Sequence, residues 1–367
     1  MPTTTPHSKG PLTGLRVIEF AGIGPGPFAC MLLSDMGADV VTIDRPGKKL
    51  GDRNNLTGRG RTVVLADLKD PAAREEVLAL LDKADVLVEG FRPGVMERLG
   101  LGPELIAARN PRLVFGRMTG WGQEGPLANA AGHDINYISI TGALHAIGPA
   151  GGAPVPPLNL VGDYGGGSLY LVVGILAALR EAQASGLGQV VDAAMSDGVI
   201  SLMTNFVTQS LRGTFKEQRG SNLLDGGAPW YGVYETSDGE HVCIGAIEPQ
   251  FFADICRRLD VPSELHDVQT DRARWPALRS FFERSFRGRT QAEWVALLEG
   301  TDVCFAPVVP LSEAHAHPHN AARNAFVDVQ GVRQPAPAPR FSRTPSGIQG
   351  PAPAQAVPAS QVAARWA

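Results

Sequence analysis

The sequence contains few of the features that define several protein classes. It has 4 cysteines among 367 residues, and no two of them form a C-x-x-C pair. A disulfide scaffold is therefore not expected, and the scattered thiols fit a reducing cytoplasm. The net charge of -4 and the pI near 6.1 argue against nucleic-acid partners and against a polybasic membrane surface.

Long apolar runs are also missing. The longest, residues 169–179, is interrupted by Tyr170 and Gly174 and is shorter than the roughly 20 residues that a membrane-spanning helix needs. The first residues lack the basic and apolar regions of a signal peptide. We therefore expect a cytoplasmic protein without a membrane partner.

The first two hundred residues instead alternate between strand and helix patterns. Residues 15–20 and 38–44 predict buried strands around a helical segment, and strand patterns return at 62–65, 84–88 and 113–118. This alternation predicts a mainly parallel sheet covered by helices. After a polar, glycine-containing linker, a hairpin signal at Asp238-Gly239 and three helical patterns predict a smaller α+β domain. We expect the Pro/Ala-rich tail from about residue 334 to lie extended on the surface.

A glycine-rich segment, Gly22-Ile23-Gly24-Pro25-Gly26-Pro27, follows the first strand. A dinucleotide-binding fingerprint needs a third glycine at position 27, where this chain has proline. The motif fails, and a tight turn between strand and helix is the better interpretation.

Three other segments place ionisable side chains among glycines or beside a proline. His133 lies in Gly132–Tyr137, Asp163 in Asn159–Gly167 and Glu248 in Ala246–Gln250. One imidazole and two carboxylates can move a proton on and off carbon, or a carboxylate can attack a thioester. The residues alone leave both reactions open.

Asp163 is predicted to open a long helix, over about 163–184, that is apolar on nearly all sides and therefore buried. An N-cap is the structural explanation of such an aspartate. The three glycines that follow are poor helix formers, which suggests that a ligand passes close to this backbone.

Basic residues gather where predicted parallel strands end, which in an acidic protein suggests a phosphate-bearing ligand. A histidine cluster at 315–319 has no acid or cysteine spacing, so no metal site is expected. The basic residues are Arg45, Lys48, Lys49, Arg53, Arg59, Arg61, Arg92 and Arg98.

These motifs resemble the family III CoA transferases (CaiB/BaiF type), and within them most closely the bacterial α-methylacyl-CoA racemases. The resemblance runs from Pro11–Val17 to Pro339–Thr344, and its markers include Arg92–Gly100, Thr119–Gln123 and the three segments above. Transferases of the family place a nucleophilic Asp at the position of Asp163. They usually lack the Gly-His-Asp and Ile-Glu-Pro-Gln segments, which are present here.

The resemblance implies roles for individual residues. His133 and Asp163 would be the two acid/base groups of an α-methylacyl-CoA racemase, Glu248 would orient the histidine, and Asn159 and Tyr231 would lie nearby. Backbone N–H groups near Asp163 could hold the enolate oxygen. No separate cofactor is implied, because CoA is part of the substrate. The positions that would contact CoA are Arg45, Ala66, Lys69, Arg92, Arg98 and Tyr137.

The resemblance also implies a fold class and an assembly. A large Rossmann-like α/β domain would comprise residues 1–212 and 325–367, and a smaller α+β domain residues 226–318, joined by linkers at 213–225 and 319–324. Two chains would form an interlocked homodimer in which Glu248 acts on the partner's active site. A CoA transferase that uses Asp163 as nucleophile is the alternative function, and a catalytically silent CoA-binding protein is a third.

Overall fold

The computed structural model describes residues 10–367. Its contacts divide the chain into two units. The first unit runs to Ala143 and also contains Pro157–Thr204 and Ala321–Ala367, and the second contains Leu144–Pro156 and Asn205–Asn320. The smaller unit thus includes residues 144–156, which the predicted boundaries assign to the large domain.

A side chain of the second unit explains this placement. The guanidinium of Arg219 donates hydrogen bonds to the carbonyl oxygens of His145, at 2.8 Å, and Gly152, at 2.6 Å. Both carbonyls belong to the segment 144–156, which is therefore tied to the unit that contains Arg219.

The first unit is built on a six-stranded sheet in the order β3-β2-β1-β4-β5-β6, with every neighbouring pair parallel. This is the strand order of a Rossmann sheet, so the predicted Rossmann-like α/β class is confirmed. The strands are β1 (Arg16–Phe20), β2 (Asp39–Asp44), β3 (Arg61–Leu65), β4 (Val86–Glu89), β5 (Val114–Thr119) and β6 (Val190–Ala194).

Both faces of the sheet are buried, because successive side chains of a strand point to opposite faces. In β1, Val17 belongs to one hydrophobic cluster and Ile18 to another. In β4, Leu87 lies in the cluster of Ile18, whereas Val86 lies in that of Val17. Continuous apolar strands of this kind need helices on both faces.

Seven of the first nine helices in the described part of the chain belong to the first unit, whereas Ala143–Ala146 and Thr204–Leu211 lie almost wholly in the second unit. The C-terminal part of the predicted 163–184 helix is α7 (Leu169–Ser185). The helices are α1 (Pro25–Asp35), α2 (Pro71–Leu81), α3 (Val95–Arg98), α4 (Pro103–Arg109), α5 (Asp134–Ser139), α6 (Ala143–Ala146), α7 (Leu169–Ser185), α8 (Met195–Leu202) and α9 (Thr204–Leu211).

The stretch before α7 is a π-helical turn, Leu160–Ser168. The helical run therefore begins before Asp163, which lies inside the turn and is not an N-cap. The helix is expected to be buried on nearly all sides, but in the single chain Leu169 and Val173 are 49% and 66% exposed. By length and hydropathy, Leu160–Ser185 could cross a membrane, but one such helix is weak evidence because core helices meet the same criterion.

The second unit contains a three-stranded antiparallel sheet and its own hydrophobic core. The predicted hairpin at Asp238-Gly239 joins its first two strands. Its elements are β7 (Tyr231–Glu235), β8 (His241–Gly245), α10 (Pro249–Arg258), α11 (Trp275–Phe286), α12 (Gln291–Leu298) and β9 (Phe305–Val308), and α13 (Pro318–Ala322) follows at its end.

The tail is not wholly extended, contrary to the prediction. A hairpin of β10 (Phe326–Val329) and β11 (Val332–Pro335) leads into the tail, and the tail ends in the helix α14 (Ala359–Arg365). Val362 is fully buried and Trp366 is 3% exposed, and both belong to the core cluster of Ile18. The tail thus completes the core on one face of the parallel sheet.

Candidate active site

A cavity of about 720 Å³ lies at the carboxyl ends of β1 and β4 in the first unit. The strand order reverses between these two strands, and ligands of open α/β sheets bind at this reversal. The cavity is lined by residues 20–27 after β1, by residues 88–93 at and after β4, and by segments that follow β5. His133 and Asp163 both line it.

The N-terminus of α5 places His133 at this cavity. His133 is the N-cap residue in extended backbone, and its backbone N–H donates to the side-chain oxygen of Asn136 at 3.0 Å. This local bond fixes the start of the helix. The His133 side chain is exposed, so its ring is available to a ligand.

Asp163 is held by polar contacts from both sides of the π-helical turn. Asn159 Nδ2 donates to Asp163 Oδ2 at 3.1 Å. The backbone N–H of Asp163 donates to Asp134 Oδ2 at 2.7 Å. Burial is the main cause that raises the pKa of Asp163; the Asn159 bond and the His133 charge act to lower it, and the Asp134 charge acts to raise it. The carboxyl group therefore holds a proton to higher pH than an ordinary aspartate.

Asp134 is a residue whose part in the site sequence reasoning missed. It is only 8% exposed, and its Oδ1 is buried without a hydrogen-bond partner. The sequence signal that could have identified it was an acidic residue directly after His133 in the Gly-His-Asp segment. The hydrogen bond from Asp163 also means that this N–H is not free to hold an enolate oxygen.

The glycines after Asp163 are explained by helix packing. A Cβ on Gly166 would lie 2.6 Å from Val199 Cγ2, and a Cβ on Gly167 would lie 2.9 Å from Met195 Cγ. Both neighbours belong to α8, which therefore approaches the backbone of the π-helical turn closely. This helix contact, and not the passage of a ligand, explains why glycine is required at these two positions.

Two of the basic residues expected to attract phosphate are used inside the fold. Arg59 is buried in a two-bond ion pair with Asp35, and Arg61 is buried against Glu19. Neither guanidinium is available as an exposed phosphate ligand. Their charges compensate buried carboxylates, which would be costly without a partner.

Arg92, by contrast, is exposed and lines the same cavity as His133 and Asp163. Its loop is fixed by an ion-pair network around the buried Arg117 that sequence reasoning also missed. Arg117 contacts Glu89 and Glu97, each at 2.9 Å, and Glu89 also accepts the backbone N–H of Phe91 at 2.7 Å. Burial raises the pKa of Glu89 despite these bonds.

The remaining residues expected to contact CoA lie outside the lining of this cavity, with one exception. Asp44 is in register with Leu65, so Arg45 and Ala66 follow at the same edge of the sheet. Arg45, Lys69 and Arg98 are exposed, whereas Ala66 is buried.

Tyr137 is the exception, since it lines the cavity. Its ring packs edge-on against Trp121, with centroids 4.8 Å apart, and its hydroxyl donates to the carbonyl oxygen of Gly132. Burial raises the pKa of Tyr137, as does the nearby Asp163 charge, whereas Arg92 acts to lower it. These influences place Tyr137 in the electrostatic field of both charged residues.

Glu248 and Tyr231 belong to the second unit. Glu248 is exposed and is the N-cap residue of α10, and Tyr231 is 36% exposed in β7. Within residues 10–367, no three His, Cys, Asp or Glu side chains are grouped as metal ligands would be. In the 315–319 cluster, His317 pairs with Glu299 at 2.9 Å.

Comparison with known proteins places this site in a family. The sequence model of CoA-transferase family III matches residues 12–356. Relatives named alpha-methylacyl-CoA racemase are 44% identical in Mus musculus over 336 residues and 42% identical in Homo sapiens over 337 residues. Each alignment covers 91% of this chain and 87% of the relative.

A solved structure of this family has the same fold. The crystal structure of a CAIB/BAIF family protein from Brucella suis superposes with a TM-score of 0.82 at 25% identity. The match covers 98% of this chain and 100% of the other. The resemblance inferred from the sequence motifs is confirmed: the chain belongs to CoA-transferase family III.

Proposed function

We propose that the protein is an isomerase that epimerises 2-methylacyl-CoA thioesters by 1,1-proton transfer. The observation that carries the proposal is the presence of His133 and Asp163 in one cavity at the sheet's reversal point. The racemase names of relatives at 42% and 44% identity support the same reaction.

The chemistry needs one base on each face of the substrate carbon. A thioester carbonyl acidifies the neighbouring C–H bond, because the carbanion delocalises onto oxygen as an enolate. His133 removes the proton of one enantiomer, and Asp163 returns a proton to the opposite face; the reverse reaction exchanges these roles. A carboxyl group with a raised pKa suits this task, since it holds a proton to higher pH than an ordinary aspartate and can donate it to the carbanion.

The hydrogen bonds around Asp163 support this role. Asn159 binds one carboxylate oxygen, and Asp134 accepts the backbone N–H. These contacts orient the carboxylate before substrate binds, and preorganisation of this kind lowers the reorganisation needed during reaction. Proton transfer of this type calls for no metal or redox group, so we propose that no separate cofactor takes part.

We propose that CoA lies along the basic edge of the sheet. Arg92 lines the cavity itself and is held in its loop by the Arg117 network. Arg45, Lys69 and Arg98 extend positive charge beyond the cavity, where phosphate groups would be favoured. Ala66 and Tyr137 would contribute apolar contact.

We further propose a cytoplasmic homodimer in which Glu248 and Tyr231 of one copy complete the site of the other. Glu248 is exposed at the start of α10, so its carboxylate is accessible to a histidine of a partner chain. In the first unit, several apolar side chains near the π-helical turn are exposed and would be covered in an assembly. They include Leu158, Leu160, Leu169 and Val173.

Deuterium incorporation tests the reaction. In deuterated water the parent protein should introduce deuterium at C2 of either enantiomer of a 2-methylacyl-CoA, and chiral analysis should show inversion. His133→Ala and Asp163→Ala should each abolish most inversion. Full racemase activity in either variant would refute the two-base assignment.

The same protein can be tested for the alternative reaction, a CoA transfer with Asp163 as nucleophile. A free carboxylate acceptor and hydroxylamine are added to the acyl-CoA. Acyl exchange together with an aspartyl hydroxamate at Asp163 would establish the transferase. We expect neither product.

A further inference from the structure

The glycine-rich segment after β1 lies against the Asp163 carboxylate. Gly24 has φ 69° and ψ -117°, a conformation that side chains other than hydrogen rarely tolerate. A Cβ at this position would lie 2.9 Å from Asp163 Oδ2 but 3.9 Å from Asp163 Oδ1. The absent side chain therefore leaves room for one carboxylate oxygen in particular.

The segment is anchored to the π-helical turn that carries Asp163. Ser168 Oγ, fully buried, donates to the carbonyl oxygen of Pro25 at 2.7 Å. The ring of Phe28 stacks on that of Tyr164 with centroids 4.3 Å apart and an interplanar angle of 23°. Both contacts lie directly after Gly24 and join its segment to the turn that carries the carboxylate.

We propose that Gly24 is a positioning residue for Asp163, fixing Oδ2 so that Oδ1 is the oxygen that exchanges the proton with substrate. Oδ2 accepts a hydrogen bond from Asn159 and lies where a side chain at Gly24 would project. Oδ1 receives no hydrogen bond from the described residues, while Asp163 lines the cavity. This inference rests on the proposed function of Asp163 as one of two bases.

The two-base reaction supplies a readout that a structural role would not move. A base that is displaced loses proton exchange only for the enantiomer whose C2 proton it removes. The other base still removes its proton and returns a deuteron to the same face. A variant with a misplaced Asp163 should therefore lose inversion and one enantiomer's exchange, yet keep the other enantiomer's exchange.

Two glycine variants separate the contact from its side effects. Gly24→Ala introduces both backbone strain and the contact with Oδ2. Gly14→Ala is the control for strain, since Gly14 has φ +95° and nothing within 4 Å of the added Cβ.

The experiment measures deuterium incorporation into each enantiomer separately, with the full chain and a 2-methylacyl-CoA. Asp163→Asn first identifies the enantiomer that depends on Asp163. Gly24→Ala should then lose exchange of that enantiomer by about 10²-fold, the effect of a small misplacement of a reacting group, and should keep the exchange of the other. Gly14→Ala should retain both.

Equal losses for the two enantiomers in Gly24→Ala, or no loss, would overturn the proposal. If Gly24→Ala cannot be obtained folded, Phe28→Leu replaces it, because it removes the ring contact with Tyr164 that holds the segment. The same one-sided loss is then expected, and an equal loss again overturns the inference. Absence of exchange in the parent protein would reject the proposed function and this inference with it.

Discussion

Asp134 offers the sharpest test of how the carboxylate site is built. Its Oδ2 accepts the backbone N–H of Asp163 at 2.7 Å, and the side chain is 8% exposed. A hydrogen bond to a charged acceptor is worth about 1.5–3 kcal/mol. Asp134→Ala removes this hydrogen bond. If the lost free energy appears as a misplaced Asp163 carboxylate, kcat/KM should fall by roughly 10- to 10²-fold, at 1.4 kcal/mol per tenfold.

Asp134→Asn is the matched variant, because its amide oxygen can still accept the N–H while the negative charge is gone. It should therefore retain most of the turnover that the alanine variant loses. Burial remains the main cause of the raised pKa of Asp163 in this variant, but the repulsion from Asp134 no longer adds to it. The pKa of Asp163 should fall.

The pH dependence of kcat/KM shows whether the pKa of Asp163 falls in the asparagine variant. Asp163 must be deprotonated to act as a base, so a lower pKa moves the acidic limb of kcat/KM to lower pH for the enantiomer that Asp163 deprotonates. The assay is chiral turnover of each enantiomer from about pH 4 to pH 8, around the ordinary carboxyl and imidazole pKa values. An acidic limb that moves to higher pH, or an asparagine variant as inactive as the alanine variant, would refute the reasoning.

Three further predictions concern charge. Arg59→Ala should lower the free energy of unfolding by about 3–5 kcal/mol in urea titration, because it leaves the buried Asp35 carboxylate without its cation. The affinity for acyl-CoA should stay unchanged. Weakened acyl-CoA binding without destabilisation would contradict this prediction. Arg92→Ala should weaken CoA binding in calorimetry, with a difference from the parent that shrinks as salt rises, and equal affinity at low salt would remove Arg92 from the proposed site. Burial raises the pKa of Asp163, so the stabilising protonated form is lost as pH rises through that pKa. The stability gain of Asp163→Asn over the parent in thermal unfolding should therefore be greater at about pH 7 than at about pH 4, near the ordinary aspartate pKa. A greater gain at about pH 4 would contradict the burial argument.

The parallel sheet could be predicted because its signals are local. Strands of the parallel sheet such as β1 and β4 are short apolar runs followed by a helical pattern, and β-α-β alternation permits few topologies. The tail could not be predicted in the same way. Its proline and alanine content indicates extended chain, yet Val362 and Trp366 insert into a core formed by residues far away in sequence.

The residues of the candidate site were likewise predictable only where the signal is local in the sequence. His133 and Asp163 were recognisable because each lies in a distinctive glycine-containing segment, and the structure brings both to one cavity. Arg59 and Arg61 were misjudged because charge in a sequence does not reveal its partner. Their carboxylates, Asp35 and Glu19, lie on other elements and become neighbours only in the folded sheet.

Glycine shows most clearly why sequence reasoning reaches a limit here. The same absence of a side chain serves a helix contact at Gly166, where α8 approaches, and a carboxylate contact at Gly24. Sequence reasoning assigned a ligand to the glycines after Asp163 and only a turn to Gly24, and the structure gives Gly166 the helix contact and Gly24 the carboxylate contact. Both glycines permit close approach, and what approaches is decided by the tertiary fold. A functional assignment from glycine therefore requires the identity of the atom that an added Cβ would meet.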